Sequence, residues 1–182
     1  MLYSTSTRGF YDPAINIVIP VDAVEITADE HAELMAAQEA GKIITVDADG
    51  KPIAVDPESL MTLSQMQSQK SALIDVAYAA AAAQPVSFKT AAGVTQTFQA
   101  DSESQDVLLK AAQGYTIAGA VPTGFFWKAQ DNTLVAFTLA DLQGLYATML
   151  AQGWAAFQKR TALKAEISAA TTIAVVQAIT WG

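Results

Sequence analysis

Side chains that could carry out catalysis are scarce in this chain of 182 residues. His31 is the single histidine, and it lies close to Asp29, Glu30 and Glu33 on what reads as the first turn of a surface helix. A Ser-His-Asp triad or a zinc site would need further partners that the sequence does not offer. We therefore expect His31 to be an exposed helix residue. The chain has no cysteine, which excludes disulfides and thiolate metal sites.

Two short motifs approach ligand-binding patterns without matching them. Thr45-x-Asp47-x-Asp49-Gly50 followed by Asp56 is similar to a calcium loop, but threonine occupies the first ligand position and aspartate replaces the bidentate glutamate. Its Asp-Gly step between two β-branched runs favours a hairpin instead. Gly119-x4-Gly124 lacks the Lys-Ser/Thr pair of a phosphate loop. We expect no metal, no cofactor and no catalytic residue, and hence no enzyme.

The aromatic run Phe125-Phe126-Trp127 is the remaining group that could bind a small ligand. Such rings can stack on a sugar or a base, but consecutive aromatics are more typical of a buried strand, and we predict one here. The carboxylates of Asp101 and Glu103 are explained more simply as the start of a helix. Residue types and spacing alone indicate an α+β protein and assign it no activity.

The net charge of −8 is concentrated in the first third of the chain. Residues 1–58 contain eleven acidic and three basic side chains, whereas the remainder contains seven of each. An acidic module repels nucleic acid and anionic membranes, so we expect neither as a partner. It could attract a basic protein surface, or it could simply be a solvated face. The first residues lack the apolar core of a signal peptide, and no apolar stretch is long enough to span a membrane, so we expect synthesis as a cytoplasmic protein.

Residues 1–56 are predicted to form a small β-rich module with one helix. Thr27-Ala28-Asp29-Glu30 is a capping box that begins a helix ending near Ala40, with Gly41 as a left-handed cap. The predicted strands cover residues 8–11, 15–19, 24–26, 42–47 and 52–55, the last two as a hairpin.

A linking helix and a second α+β domain are predicted to follow. Asp56-Pro57 begins a helix that we extend to residue 83, within a linking segment 57–84. The domain 85–182 is predicted to contain two hairpins, a helix capped by Asp101, a long helix that starts at Thr138 and a short one capped by Thr171.

One series of motifs runs in order through residues 8–52. The motifs are Arg8-Gly9-Phe10-Tyr11, Ile19-Pro20-Val21-Asp22-Ala23-Val24-Glu25-Ile26-Thr27, His31, Gly41-Lys42-Ile43-Ile44 and Asp49-Gly50-Lys51-Pro52. Through this series the first third resembles the N-terminal region of bacteriophage tail fibre assembly proteins. A second set of residues lies in the C-terminal part and consists of Phe98-Gln99-Ala100-Asp101, Trp127, Asp131-Asn132, Leu163-Lys164-Ala165-Glu166-Ile167 and Ile179-Thr180-Trp181. Through these residues the C-terminal part is similar to a small domain of unknown function common in phage tail proteins.

The resemblance implies a chaperone that binds the distal end of a phage tail fibre in the host cytoplasm and promotes its trimerisation. The alternative that it leaves open is a permanent component of the virion at the fibre tip, where a host surface glycan would be a further partner. Within the N-terminal module we expect Phe10 and Tyr11 to anchor the fibre, because aromatic side chains bury a large area at modest entropy cost. Asp47 and Asp49 are expected to act as acidic rim groups.

Overall fold

The computed structural model describes residues 1–182 and shows the α+β class that the sequence predicts. The chain divides into two compact units, Met1–Met66 and Gln67–Gly182. None of the helices combines the length and the apolarity that crossing a membrane requires. The domain limits proposed from the sequence, 1–56, 57–84 and 85–182, stay a prediction.

The first unit contains two small antiparallel sheets and one helix. Its elements are β1 (Leu2–Ser4), β2 (Gly9–Tyr11), β3 (Ala23–Glu25), α1 (Ala28–Glu39), β4 (Ile43–Val46), β5 (Pro52–Val55) and a 3-10 helix (Pro57–Leu60). Strand β1 lies between β2 and β3, while β4 pairs with β5. A small core of Tyr3, Ile26 and Leu34 joins the three-stranded sheet to α1.

Both ends of α1 form as local sequence predicts. The Thr27 side chain accepts a hydrogen bond from the Glu30 N–H, and the Glu30 carboxylate accepts one from the Thr27 N–H. At the other end Gly41 adopts a φ of +90°. The Gly41 and Lys42 N–H groups donate to the carbonyls of Gln38 and Ala37. This is the Schellman arrangement, which satisfies carbonyls that the helix end leaves free.

The strand predicted over residues 15–19 is wrong, and the strand Leu2–Ser4 was not predicted. Residues 12–22 form a loop, in which the carbonyl of Asp12 accepts from the N–H groups of Ile15 and Asn16. A β-branched run becomes a strand only where a neighbouring strand can pair with it, because β propensity reflects packing on neighbours. The central position of the sheet is occupied by β1 instead.

The second unit holds most of the helical structure. Its elements are α2 (Leu63–Ala82, which begins at the end of the first unit), β6 (Val86–Lys89), β7 (Thr95–Phe98), α3 (Ser102–Ala118), β8 (Phe126–Lys128), β9 (Leu134–Ala136), α4 (Leu139–Ala169) and α5 (Ile173–Ala178). β6 pairs with β7 and β8 with β9, each as an antiparallel hairpin. The core of this unit is built around Phe98, Leu108, Leu142 and Leu145.

Two helix starts differ from the predicted ones. The helix predicted over residues 57–83 is divided into the 3-10 helix and α2, because Thr62 and Gln65 form their own reciprocal cap. The last helix is capped by Thr172 rather than Thr171. The Asp101 cap of α3 and the start of α4 at Thr138 are confirmed, and Thr138 forms a capping box with Asp141.

Candidate partner-binding surface

The loop of residues 12–22 is held firmly where it returns to the sheet. The Asp22 carboxylate accepts hydrogen bonds from the Ser6 N–H at 2.7 Å, and from the hydroxyls of Ser4 and Ser6 at 2.9 Å each. The Ser6 N–H, together with the two hydroxyls, holds the pKa of Asp22 below its usual value, although partial desolvation opposes this effect. Asp22 thus ties the end of the loop to β1 and to the residues that follow it.

The beginning of the same loop is also ordered by local hydrogen bonds. The Asp12 N–H donates to Asn16 Oδ1 at 2.7 Å, and the Asp12 carboxylate accepts from the Ala14 N–H at 2.9 Å. These side-chain to backbone bonds form a turn and compete with extension into a strand. The loop is therefore fixed at both ends, while its middle pairs with no strand of the sheet.

The middle of the loop exposes large apolar side chains to an unusual degree. Ile15, Ile17, Val18 and Val21 are 77%, 101%, 81% and 107% exposed. No hydrogen bond within the chain uses the backbone N–H or carbonyl groups of residues 17–19. Single exposed apolar residues are common on protein surfaces, but four of them in one loop make that loop a candidate binding surface. We call residues 15–21 the apolar loop.

The aromatic pair predicted to anchor a partner lies on β2, and its two members differ in role. The Phe10 ring packs at 5.1 Å from the Tyr3 ring and edge-on at 4.6 Å from the His31 ring. Phe10 is thus part of the core of the first unit. Tyr11 is half-buried, and its hydroxyl donates to Thr7 Oγ1 at 2.9 Å. The expectation that His31 is an exposed helix residue is wrong, because its ring covers Phe10.

The two acidic residues predicted as rim groups lie in the β4–β5 hairpin, which forms as predicted. Asp47 Oδ1 accepts from the N–H groups of Asp49 and Lys51 at 2.9 Å each, and Gly50 closes the turn with a φ of +80°. Asp47 therefore shapes the turn, whereas the Asp49 side chain is exposed. No hydrogen bond or ring contact joins these acids to Phe10 or Tyr11.

A second surface lies in the second unit, in a groove of about 700 Å³ beside β8. The groove is lined by Gln99, Asp101, Glu103, Ser104, Val107, Phe126, Trp127 and Lys128. The prediction that Phe125, Phe126 and Trp127 form a buried strand is wrong for Phe126, which is 52% exposed. Side chains alternate across a strand, so Phe125 and Trp127 pack on the core while Phe126 faces outward.

The carboxylate of Asp101, which lines this groove, caps the start of α3. It accepts hydrogen bonds from the Ser104 N–H at 3.0 Å and the Ser104 hydroxyl at 2.8 Å, and these bonds lower the pKa of Asp101. Glu103 and Lys128 are exposed at the rim. The side chains of His, Asp and Glu form no group of three or more that could hold a metal ion.

The apolar loop and its anchors are a candidate binding feature that the sequence did not predict. The signal for it was present: a β-branched run bounded by Asp12 and Asp22, interrupted by Asn16 and closed by Pro20. Aspartate and asparagine favour local turns, and proline cannot donate to a sheet. Together these residues indicate a loop at least as strongly as a strand.

Fold and surfaces together define a two-unit α+β protein with an acidic first unit from which an apolar loop projects. Residues 65–180 match the family described as a domain of unknown function, DUF4376, and the chain belongs to this family. The chain is also 41% identical over 78 residues to a protein named "Probable tail fiber assembly protein" from Shigella phage SfV.

That alignment covers 40% of this chain and 46% of the relative, so it spans about half of the relative's length. No solved structure matches the chain. The resemblance to tail fibre assembly proteins and the C-terminal phage tail domain inferred from the sequence are confirmed by these two similarities.

Proposed function

We propose that this chain is a chaperone of phage tail fibre assembly, that it binds the distal end of the fibre, and that it is not an enzyme. The structural observation that carries the proposal is the apolar loop, which presents Ile15, Ile17, Val18 and Val21 to solvent on two ordered ends. The class of partner is taken from the name of the relative in Shigella phage SfV.

The physical need for such a chaperone follows from the way fibres fold. Trimeric fibres are rich in non-local β structure, which forms slowly and leaves strand edges and apolar surface exposed in the meantime. Exposed edges associate with the wrong chains. A small acidic protein with an apolar binding loop would cover such an edge until the three fibre chains align, in the host cytoplasm where fibres are made.

The binding step can be tested directly with a candidate phage tail fibre protein. Its distal segment is co-expressed with the full-length chain and the mixture is separated by size-exclusion chromatography with light scattering. The proposal predicts a complex that contains both proteins. If the two proteins elute separately at all concentrations tested, the proposal is contradicted.

The groove beside β8 favours a second candidate function, that of a permanent component at the fibre tip which contacts a host glycan. An outward-facing Phe126 next to Trp127, with carboxylate and amide groups nearby, is suited to stacking on a sugar ring and bonding its hydroxyls. Mass spectrometry of purified virions separates the two functions. A chaperone is absent from mature particles, whereas a tip component is present at a fixed ratio to the fibre.

A further inference from the structure

The apolar loop contains backbone N–H and carbonyl groups that form no hydrogen bond within the chain. Ile17, Val18 and Ile19 neither donate nor accept a backbone hydrogen bond within the chain. The preceding turn ends at Asn16, whose N–H donates to the Asp12 carbonyl at 2.8 Å. Pro20 follows and has no N–H to donate, so the segment with unbonded backbone groups ends at Ile19.

The composition of this free stretch is that of a β-strand. Ile and Val have the highest tendency to form strands once a neighbour is present, and this segment has no neighbour in its own unit. Its ends are held by Asp12–Asn16 and by Asp22 with Ser4 and Ser6, which reduces the entropy that the segment loses when it pairs. Segments that become extended on binding add to exposed sheet edges through main-chain hydrogen bonds.

We propose that residues 17–19 pair as an added β-strand with an exposed strand edge of the fibre protein. This inference rests on the proposed function, because the fibre is the partner that supplies the edge. One edge of the segment bonds the fibre strand, and the side chains of Ile17 and Val18 lie on opposite faces of the extended fibre sheet, where each covers apolar surface.

The acidic charge of the first unit disfavours a second copy of the chain as the partner of the apolar loop. Residues 1–58 carry eleven acidic and three basic side chains, so two copies pairing through their apolar loops would bring together two modules of net charge −8. Like-charge contact opposes association of two copies. The same acidic side chains would attract lysine or arginine on a fibre edge, and binding of that kind weakens as the salt concentration rises.

Proline substitutions test the backbone pairing separately from the apolar contact. Alternate residues of a strand direct their N–H groups to opposite edges, so the N–H of Ile17 and that of Val18 cannot both bond the same fibre strand. Ile17→Pro and Val18→Pro are each compared with alanine at the same position, which keeps the N–H. Both positions are exposed, and thermal melts should show all four variants folded like the parent.

Affinity of the full-length variants for the distal fibre segment is measured by calorimetry. We expect one proline to weaken binding at least about tenfold relative to its alanine control, and the other to change it less than about threefold. Equal effects of the two prolines, whether both small or both large, overturn strand addition while leaving the proposed function intact. If the parent itself does not bind the fibre, the proposed function fails and this inference fails with it.

Sedimentation of the chain without fibre tests the alternative, in which the apolar loop pairs with a second copy of the chain. The inference predicts a monomer for the parent and for both proline variants. A parent dimer that one of these prolines dissociates would show that the loop pairs with a second copy, and would overturn the assignment to the fibre.

Discussion

At the scale of single residues, Phe10 and Tyr11 lie next to each other on β2 but on opposite faces of the strand. Phe10 faces the core and contacts Tyr3 and His31, whereas Tyr11 lies on the other face with its hydroxyl on Thr7. We expect Phe10→Ala to lower the free energy of unfolding by about 2–4 kcal/mol through loss of this packing. Tyr11→Ala should change stability much less and weaken fibre binding instead. Denaturant titration and calorimetry measure the two quantities, with Tyr11→Phe as control.

If Tyr11→Ala binds the fibre as the parent does, the outward face of β2 is not a contact and the apolar loop alone carries the interface. If Tyr11→Ala unfolds as readily as Phe10→Ala, the ring of Tyr11 belongs to the core and its role as an anchor is contradicted.

Asp22 gives a prediction about pH with a defined sign. The Ser6 N–H and the Ser4 and Ser6 hydroxyls lower its pKa in the folded chain relative to the unfolded one. Its contribution to stability is therefore complete above the unfolded value of about 3.9 and is lost as the pH falls through the lower folded value. The difference in melting temperature between the parent and Asp22→Asn should be largest near neutral pH and shrink below about pH 4. A difference that persists unchanged at low pH would contradict this account.

At the scale of elements, Gly144 of α4 faces the ring of Phe88 on β6. A Cβ atom at this position would lie 3.0 Å from two atoms of the Phe88 ring, whereas at Gly153 of the same helix it would meet nothing within 4 Å. Replacing a helical glycine with alanine normally stabilises by about 0.5–1 kcal/mol. We expect that gain for Gly153→Ala, and a smaller gain or a net loss for Gly144→Ala. Equal gains in denaturant titrations would mean that Phe88 moves aside freely.

The start of α4 depends on Asp141, which is 3% exposed. Burial favours its neutral form, but hydrogen bonds from the Thr138 hydroxyl and N–H and from the Ala91 N–H outweigh this and lower its pKa. Asp141→Ala keeps the backbone bond to the Thr138 cap but leaves the N–H groups of Thr138 and Ala91 without their acceptor, which should cost about 2–3 kcal/mol in denaturant titrations. Asp106→Ala, at an exposed position of α3, is the matched control and should cost little. A similar cost for both variants would contradict the prediction.

Elements defined by neighbouring residues could be predicted from the sequence, and those defined by distant partners could not. Thr27 with Glu30, and Thr138 with Asp141, cap their helices through residues three apart, so the pattern itself contains the contact. Strand β1 and the loop at residues 15–21 depend on which segments pair across the sheet. The exposure of Phe126 likewise depends on which face of the β8–β9 hairpin packs on the core. The sequence therefore predicted the aromatic and acidic residues of the two candidate surfaces, but not the apolar loop or the exposure of Phe126.

At the scale of the whole molecule, the second unit has the contacts of an independent folding unit. Asp75 on α2 binds Lys164 at 2.8 Å and Arg160 at 2.5 Å on α4, and Gln67 bonds the Ile167 and Ala170 carbonyls. We expect residues 61–182, which retain the Thr62 cap of α2, to fold alone with cooperative thermal unfolding. A fragment that lacks cooperative melting would show that the first unit is needed for its stability.

Fibre assembly itself is the activity that the account assigns to the chain, and its yield is the most direct test. The fibre is expressed alone, with the full-length chain, and with the Ile17→Ala, Val18→Ala double variant, and fibre trimer resistant to SDS is measured by gel. The account predicts abundant trimer with the parent chain, little without it, and an intermediate yield with the variant. Equal trimer yield with and without the chain would contradict the chaperone function.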